Sequence, residues 1–400
     1  MEKQKAAHNR RDAGAKQSLL GMIKSLDARK YTMVIALLVI WGIFSILTNG
    51  LFTSSRNLSN LFLQMCTIGI LTCGMVFIMV TGNIDISVGS VVGALGALVA
   101  VLIIKWGVPP VWAILITVLA GILIGMWHGY WIAYRGVPAM IATLASMTAF
   151  KGVTLGLTGG VTISGFSEGF KALGQGYLPQ LFLDYNDTSL ILTVLLAVLF
   201  IITDIRKRRS RIKYGFKVPS AGMFVLKEVV VALAIGLVGY IMISYRGIPY
   251  AILVLMGVAF VWTYVANRTS FGRSIYAIGG NKEAARYSGI NIKRNMLVMY
   301  AMMGFLSAIA ALVLTTRLNA ATTSAGTMFE MDAIAAAVIG GTSPAGGVGT
   351  VFGAVIGALV MASLDNGMSL LNVDIMFQYI IKGLVLLIAV AIDAASRKKL

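Results

Sequence analysis

The sequence predicts an all-α fold: a polytopic membrane helical bundle of about ten to twelve helices, with broken or re-entrant Gly-rich segments. Three observations carry that reading. Of 400 residues, 58% are hydrophobic and only 12% are charged, against about 25% charged and about 45–50% apolar in an average soluble domain. Apolar runs long enough to cross a bilayer core of roughly 30 Å recur from Tyr31 to the C-terminus. No series of short alternating strands appears, so the pattern is not that of a β-barrel.

The spans fall near 31–50, 59–80, 88–106, 111–134, 138–157, 188–205, 226–245, 249–267, 295–316, 331–345, 350–370 and 375–393. Residues 1–30 read as a cytoplasmic basic tail, since a cleaved signal peptide would carry a shorter apolar run. Residues 31–395 form one transmembrane domain containing a polar cytoplasmic loop, 268–294, and 396–400 form a cytoplasmic basic end.

A net charge of +18 would suggest a nucleic-acid partner in a soluble chain. Here the placement of the charges excludes that. With the N-terminus inside, most Lys and Arg residues fall on one side: in the tail, at Arg135, in 206–227, in 268–294 and at the C-terminus. The other side keeps Arg56, Lys105, Lys171, Arg246 and Arg317. This asymmetry is the positive-inside pattern, and it predicts a cell inner (plasma) membrane protein with both termini cytoplasmic. The run RKRRSRIK from Arg206 reads as an anchor beside anionic membrane lipid.

Cys66 and Cys73 lie on one predicted helix, roughly 10 Å apart along its axis. They are too far apart to bridge each other and read as packing residues. Glycines recur at four-residue spacing at Gly121, Gly125 and Gly129, and again at Gly349, Gly353 and Gly357, a period that lets helix backbones approach closely in lipid. Two internal echoes accompany them: GSVVGALGAL from Gly89 with GTVFGAVIGAL from Gly349, and YRGVP from Tyr134 with YRGIP from Tyr245. The connection 158–187 is Gly-rich and long enough to carry short helices or a lid.

Within the membrane, TGNIDISVGS (81–90) stands out. A charge at membrane depth is expensive unless paired or wetted, so Asp85 marks either a polar pathway or a structural break. Asn83, Ser87, Gly89 and Ser90 suit a non-helical segment lining such a pathway. Equally, Asp85 can cap the helix that follows. Thr342 and Ser343, within 340–349, are read the same way. Asp365, Asn366 and Lys382 are further polar candidates; Lys382 is expected to snorkel or to pair with an acid. His128 reads as a packed residue. No Gly-Lys dipeptide occurs, which excludes a nucleotide P-loop, and there is no HExxH, no metal-spaced Cys/His set and no GxSxG. The sequence therefore predicts no catalytic residues, no cofactor and no metal.

The stretch FGRSIYAIGGNKEAARYSGINIKRN (271–295) is a polar, glycine-bracketed segment between two apolar runs. Asn281 is a good N-cap, Glu283 suits a helix N-terminus, and Gly289 is a natural terminator. Residues 281–288 thus predict a two-turn cytoplasmic helix between flexible glycines, Gly279-Gly280 and Gly289, which reads either as an ordinary solvated loop or as a rigid knob for a partner to push against.

This stretch resembles the cytoplasmic coupling loop of sugar permeases in ATP-binding-cassette importers of the ribose–xylose–galactose group. GNIDISVGS resembles that family's intramembrane motif, with Ile86 in place of Leu. VIGGTSPAGGVGTVFGAVIGALVMASLDNGMSLLNV (338–373) resembles its C-terminal motif, with Pro344 in place of Leu. The insert near 206–224 and the chain length point to the xylose-type or multiple-monosaccharide branch. The resemblance implies two permease copies around one path, a separate cytoplasmic ATPase subunit below and an extracytoplasmic sugar-binding protein above. It implies that Gly279, Gly280, Asn281, Glu283, Ala284, Ala285, Arg286 and Gly289 engage the ATPase, and that Arg317 contacts the binding protein. The cargo is expected to be a monosaccharide, D-xylose or a related sugar. The alternatives are a same-family permease for another small solute such as a nucleoside, and an ion-coupled secondary carrier.

Overall fold

The computed structural model describes residues 28–182, 185–216 and 218–397. Most of the basic tail, and the last residues of the basic end, lie outside the described residues. The elements run α1 (Ala28–Leu47), α2 (Ser55–Val80), α3 (Val88–Ala100) with a π-helical turn (Val101–Lys105), α4 (Pro110–Ala133), α5 (Ala139–Thr158), β1 (Ile163–Ser164) and α6 (Glu168–Gln175). They continue with α7 (Asp187–Lys213), α8 (Ala221–Ile243), α9 (Tyr250–Arg268), α10 (Ser270–Gly280), α11 (Lys282–Tyr287) and α12 (Ile292–Leu318). The chain closes with β2 (Ala320–Ala321), α13 (Phe329–Ile339), α14 (Val351–Leu370) and α15 (Ile375–Arg397).

Among the described residues, 10 helices are long and apolar enough to cross a membrane: α2, α3 with its π turn, α4, α5, α7, α8, α9, α12, α14 and α15. This is an all-α, multi-pass membrane bundle. The span expected at 331–345 does not form as one helix. α13 stops at Ile339, because Gly340 closes its last turn and Gly341 adopts φ +85°. The chain then turns through 340–350 before α14 begins, making a broken passage in place of a straight one.

α2 lies at the centre, with Leu61, Ile70, Leu71 and Phe77 fully buried, and packs against α9, α12, α13 and α14. Cys66 and Cys73 are buried, free members of this core, as their spacing predicts. α7, α8 and α15 are outermost and present Ile191, Leu233 and Leu387 outward, the surface lipid would cover.

The glycine stripes act through close backbone approach. A Cβ at Gly121 or Gly125 would meet the backbone oxygens of Gly304 and Tyr300, so α4 lies directly on α12. Gly353 and Gly357 do the same against Gly340 and Ala336, seating α14 on α13. The YRGVP and YRGIP echo is shared turn chemistry: Gly136 and Gly247 take φ +72° and +97°, and a proline then opens α5 and α9. Residues 159–186 carry α6 and a short antiparallel pairing, Ile163 with Ala321 and Ser164 with Ala320, which ties them to the 319–328 loop.

Candidate functional site

The polar loop between α9 and α12 is a built structure. Thr269 caps α10 by accepting from the Gly272 N–H at 3.1 Å. Asn281 then caps α11, its Oδ1 accepting from Ala284 N–H at 2.9 Å. Gly289, at φ +80°, ends α11 with its N–H on the Arg286 carbonyl at 3.0 Å, while Ile290 N–H reaches the Ala285 carbonyl at 3.1 Å. That pair of bonds is the left-handed C-terminal stop glycine favours. On this short helix Ala285 alone is buried; Lys282, Glu283, Ala284, Arg286 and Tyr287 all face outward.

Tyr287 is 86% exposed. Sequence reasoning passed over it, although a large aromatic beside Arg286 on a capped solvent helix is the composition that dominates binding energy at protein interfaces.

The glycine pair departs from expectation. Gly279 and Gly280 are the last residues of α10, not a flexible linker. Gly280 has open space around it, but a Cβ on Gly279 would overlap the Val80 carbonyl oxygen and crowd the Gly347 N–H. Gly347 N–H donates to that same Val80 carbonyl at 2.8 Å, and the Tyr276 hydroxyl donates to the Gly349 carbonyl at 2.8 Å. Burial raises the Tyr276 phenol above its ordinary pKa, which keeps the donating proton in place. The base of the polar loop is therefore packed, backbone against backbone, on Val80 at the end of α2, where the segment 81–87 begins, and on Gly347 of the segment 340–350. Gly279→Val must force these backbones apart. It is expected to cost about 1–3 kcal/mol, read as a lowered thermal unfolding midpoint of the detergent-purified protein.

Along the first segment, Asp85 is buried and its Oδ1 accepts from Ser87 N–H at 2.8 Å and Ser87 Oγ at 2.6 Å. Asp85 thus organises the start of α3. It also lines a small cavity of about 10 Å³ shared with Ser87, His128 and Ser307, about the space of one water. Asn83 bonds back to Thr81 Oγ1 at 2.8 Å, Ser90 is half-buried, and Gly89 sits against the Gly326 carbonyl. His128 is packed edge-on between Phe150 and Tyr300, as its surroundings predict. On the second segment Thr342 is buried, and Ser343 donates to Asp393 Oδ2 at 2.9 Å, tying the turn to α15. The two sets of predicted path residues lie on segments joined at Val80 and Gly347.

Lys382 pairs with acids, as one of its two expected roles required: its Nζ lies 3.0 Å from Asp332 Oδ2 and 2.9 Å from Asp365 Oδ2. The triad ties α13, α14 and α15 together. Asp332 was not singled out from the sequence, although an acid inside an expected span was the available signal.

Arg317 lies in the last turn of α12, at the end opposite the polar loop that precedes this helix. It turns into a cavity of about 450 Å³ rather than standing free on the surface. Gln175 donates to its carbonyl at 2.9 Å, while its Nη1 is buried without a partner among the described residues.

Comparison with known proteins decides the family. Residues 57–390 match the family described as the branched-chain amino acid transport system / permease component. The chain belongs to this family. It is 45% identical over 378 residues to the xylose transport system permease protein XylH of Haemophilus influenzae, covering 94% of this chain and 99% of that protein. The corresponding protein of Escherichia coli K12 is 44% identical, with 94% of each chain covered. The ribose import permease protein RbsC of Bacillus subtilis is 36% identical, covering 91% of this chain and 92% of its own. No solved structure matches the chain. Within this permease family, the chain's capped loop, paired broken segments and glycine-packed helices are parts of one membrane transport subunit.

Proposed function

We propose that this chain is the transmembrane permease subunit of an ATP-driven, binding-protein-dependent importer of D-xylose or a closely related monosaccharide. The observation that carries the reading is the 45% identity to a xylose permease over 94% of this chain. Residues 31–395 make up the permease domain, and two copies enclose the path in the cell inner membrane. Both termini and the loop 268–294 face the cytoplasm. There α11, with Asn281, Glu283, Ala284, Ala285 and Arg286 between Gly279-Gly280 and Gly289, seats in a groove of a separate ATPase. That subunit hydrolyses the ATP; this chain has no P-loop with which to do so.

Closure of the ATPase moves α11 and, through Gly279, the segments carrying Asn83, Asp85, Ser87, Gly89, Ser90, Thr342 and Ser343, which border the path. At the far pole Arg317 belongs to the face on which the loaded sugar-binding protein docks. Proteoliposomes containing the permease, its ATPase and the binding protein are expected to take up labelled D-xylose only when ATP is enclosed with the ATPase. Uptake by the permease alone under an ion gradient would overturn this reading and favour a secondary carrier. Uptake that prefers D-ribose would keep the mechanism and change the cargo.

A further inference from the structure

We propose that the cavity at the far end of α12 is a transient sugar site, entered by a monosaccharide as it leaves the binding protein. The proposal rests on the function given above and adds to it a place where this subunit itself holds the cargo. The cavity's volume of about 450 Å³ lies in the range of roughly 300–1,000 Å³ usual for small-molecule sites.

Its walls carry the chemistry a polyol needs. Asn60 and Gln64 lie one turn apart on α2 and project to the same side, flanking Leu63. They lie in the first turns of α2, where the helix is still partly polar, and Gln64 is exposed while its neighbours Leu63 and Met65 are buried. Neither amide is engaged by another group among the described residues. Across from them, Tyr177 and Tyr245 meet edge to face with ring centroids 6.4 Å apart. The Arg246 guanidinium lies 5.9 Å and 5.4 Å from the two ring centres. Tyrosine offers an apolar face for the C–H side of a sugar ring and a hydroxyl at its rim. Arg317 also contributes to the wall.

Beside the two arginines, the amide and phenol groups suit a neutral polyol, whose hydroxyls can accept from a guanidinium and exchange hydrogen bonds with the amides. Amide side chains both donate and accept, matching hydroxyl groups that do the same. A carboxylate accepts only, and would leave the amide oxygens of Asn60 and Gln64 unused. Among the described residues no acid lines the cavity, so none of them offers a cation a counter-charge there.

The test uses the full-length permease in lipid nanodiscs, without partners, and D-xylose as the probe, followed by saturation-transfer NMR. The wild type is expected to give a sugar signal, and Asn60→Leu/Gln64→Leu to bind about tenfold more weakly, the loss of roughly one hydrogen bond. Should the double variant not fold, Arg246→Met on the opposite wall takes its place with the same expectation. A missing wild-type signal, or one the variants leave unchanged, overturns the site even where the complete wild-type transporter still imports D-xylose. Variants that keep the sugar signal but lose capture of the binding protein would show that the cavity receives a partner side chain, which also overturns it. Failure of the complete wild-type transporter to import any sugar overturns the underlying function, and the site with it.

Discussion

Lys382→Met is expected to destabilise the folded protein by about 3–5 kcal/mol, the cost of breaking a buried ion pair from one side. The ammonium sits between Asp332 at 3.0 Å and Asp365 at 2.9 Å, on two different helices. Asp332 is almost fully buried, and the Oδ1 atoms of both acids have no partner among the described residues. Removing the lysine leaves two carboxylates facing each other with no counter-charge. Asp365→Asn should cost far less, because it leaves a neutral Asp332–Lys382 pair. A triple change, Lys382→Met with both acids made asparagine, should recover most of the loss. Denaturant titration of the detergent-solubilised protein reads all three; a single Lys382 variant as stable as the wild type would show that the triad contributes nothing to folding.

The second large effect concerns association. Tyr287→Ala is expected to weaken binding of the ATPase subunit at least about 30-fold, the equivalent of roughly 2 kcal/mol for a hot-spot aromatic. With 86% of its surface exposed, the side chain has little to do for this chain's own stability. Insertion and thermal unfolding should therefore be unchanged, which separates a docking role from a folding one. Tyr214 is 71% exposed, lies at the same pole and is outside α11, so Tyr214→Ala serves as the control with no expected effect. Surface plasmon resonance with nanodisc-held permease gives the comparison. Equal affinities for wild type and Tyr287→Ala would remove α11 from the interface.

What could be read in advance was what short-range chemistry determines. Asn281 and Gly289 announce α11 because a cap and its helix turn are four residues apart or fewer. The spans followed from apolar length, and the glycine stripes from their period. Contacts made across the bundle left no such trace. Nothing near Gly279 in the chain indicates that Val80 will lie against it, so a close-packed joint was taken for a flexible linker. The apolar run over 331–345 was long enough for a span, but the backbone turn at Gly340-Gly341 stopped the helix. Arg317 was placed from the sequence only by its side of the membrane; that it shares a cavity with residues of α2, α6 and the 244–249 turn depends on contacts the chain order does not reveal. Asp85 was left between two readings, and its hydrogen bonds to Ser87 hold the backbone just before α3 without deciding between them.

The meeting of Gly279, Val80 and Gly347 also fixes how stiff the coupling is. Side-chain interfaces yield under load by hopping between rotamers, so part of any displacement is absorbed where it enters. Backbone atoms have no rotamers to exchange. A joint made of a carbonyl, an amide and a bare Cα has low compliance, so on the proposed function it would pass movement of α11 to the membrane-embedded turns with little slack. On the proposed function, the amplitude of gate movement is then set by the lengths of α10 and α11 as rigid arms. Lengthening either arm by one helical turn would change the stroke delivered without touching the joint itself.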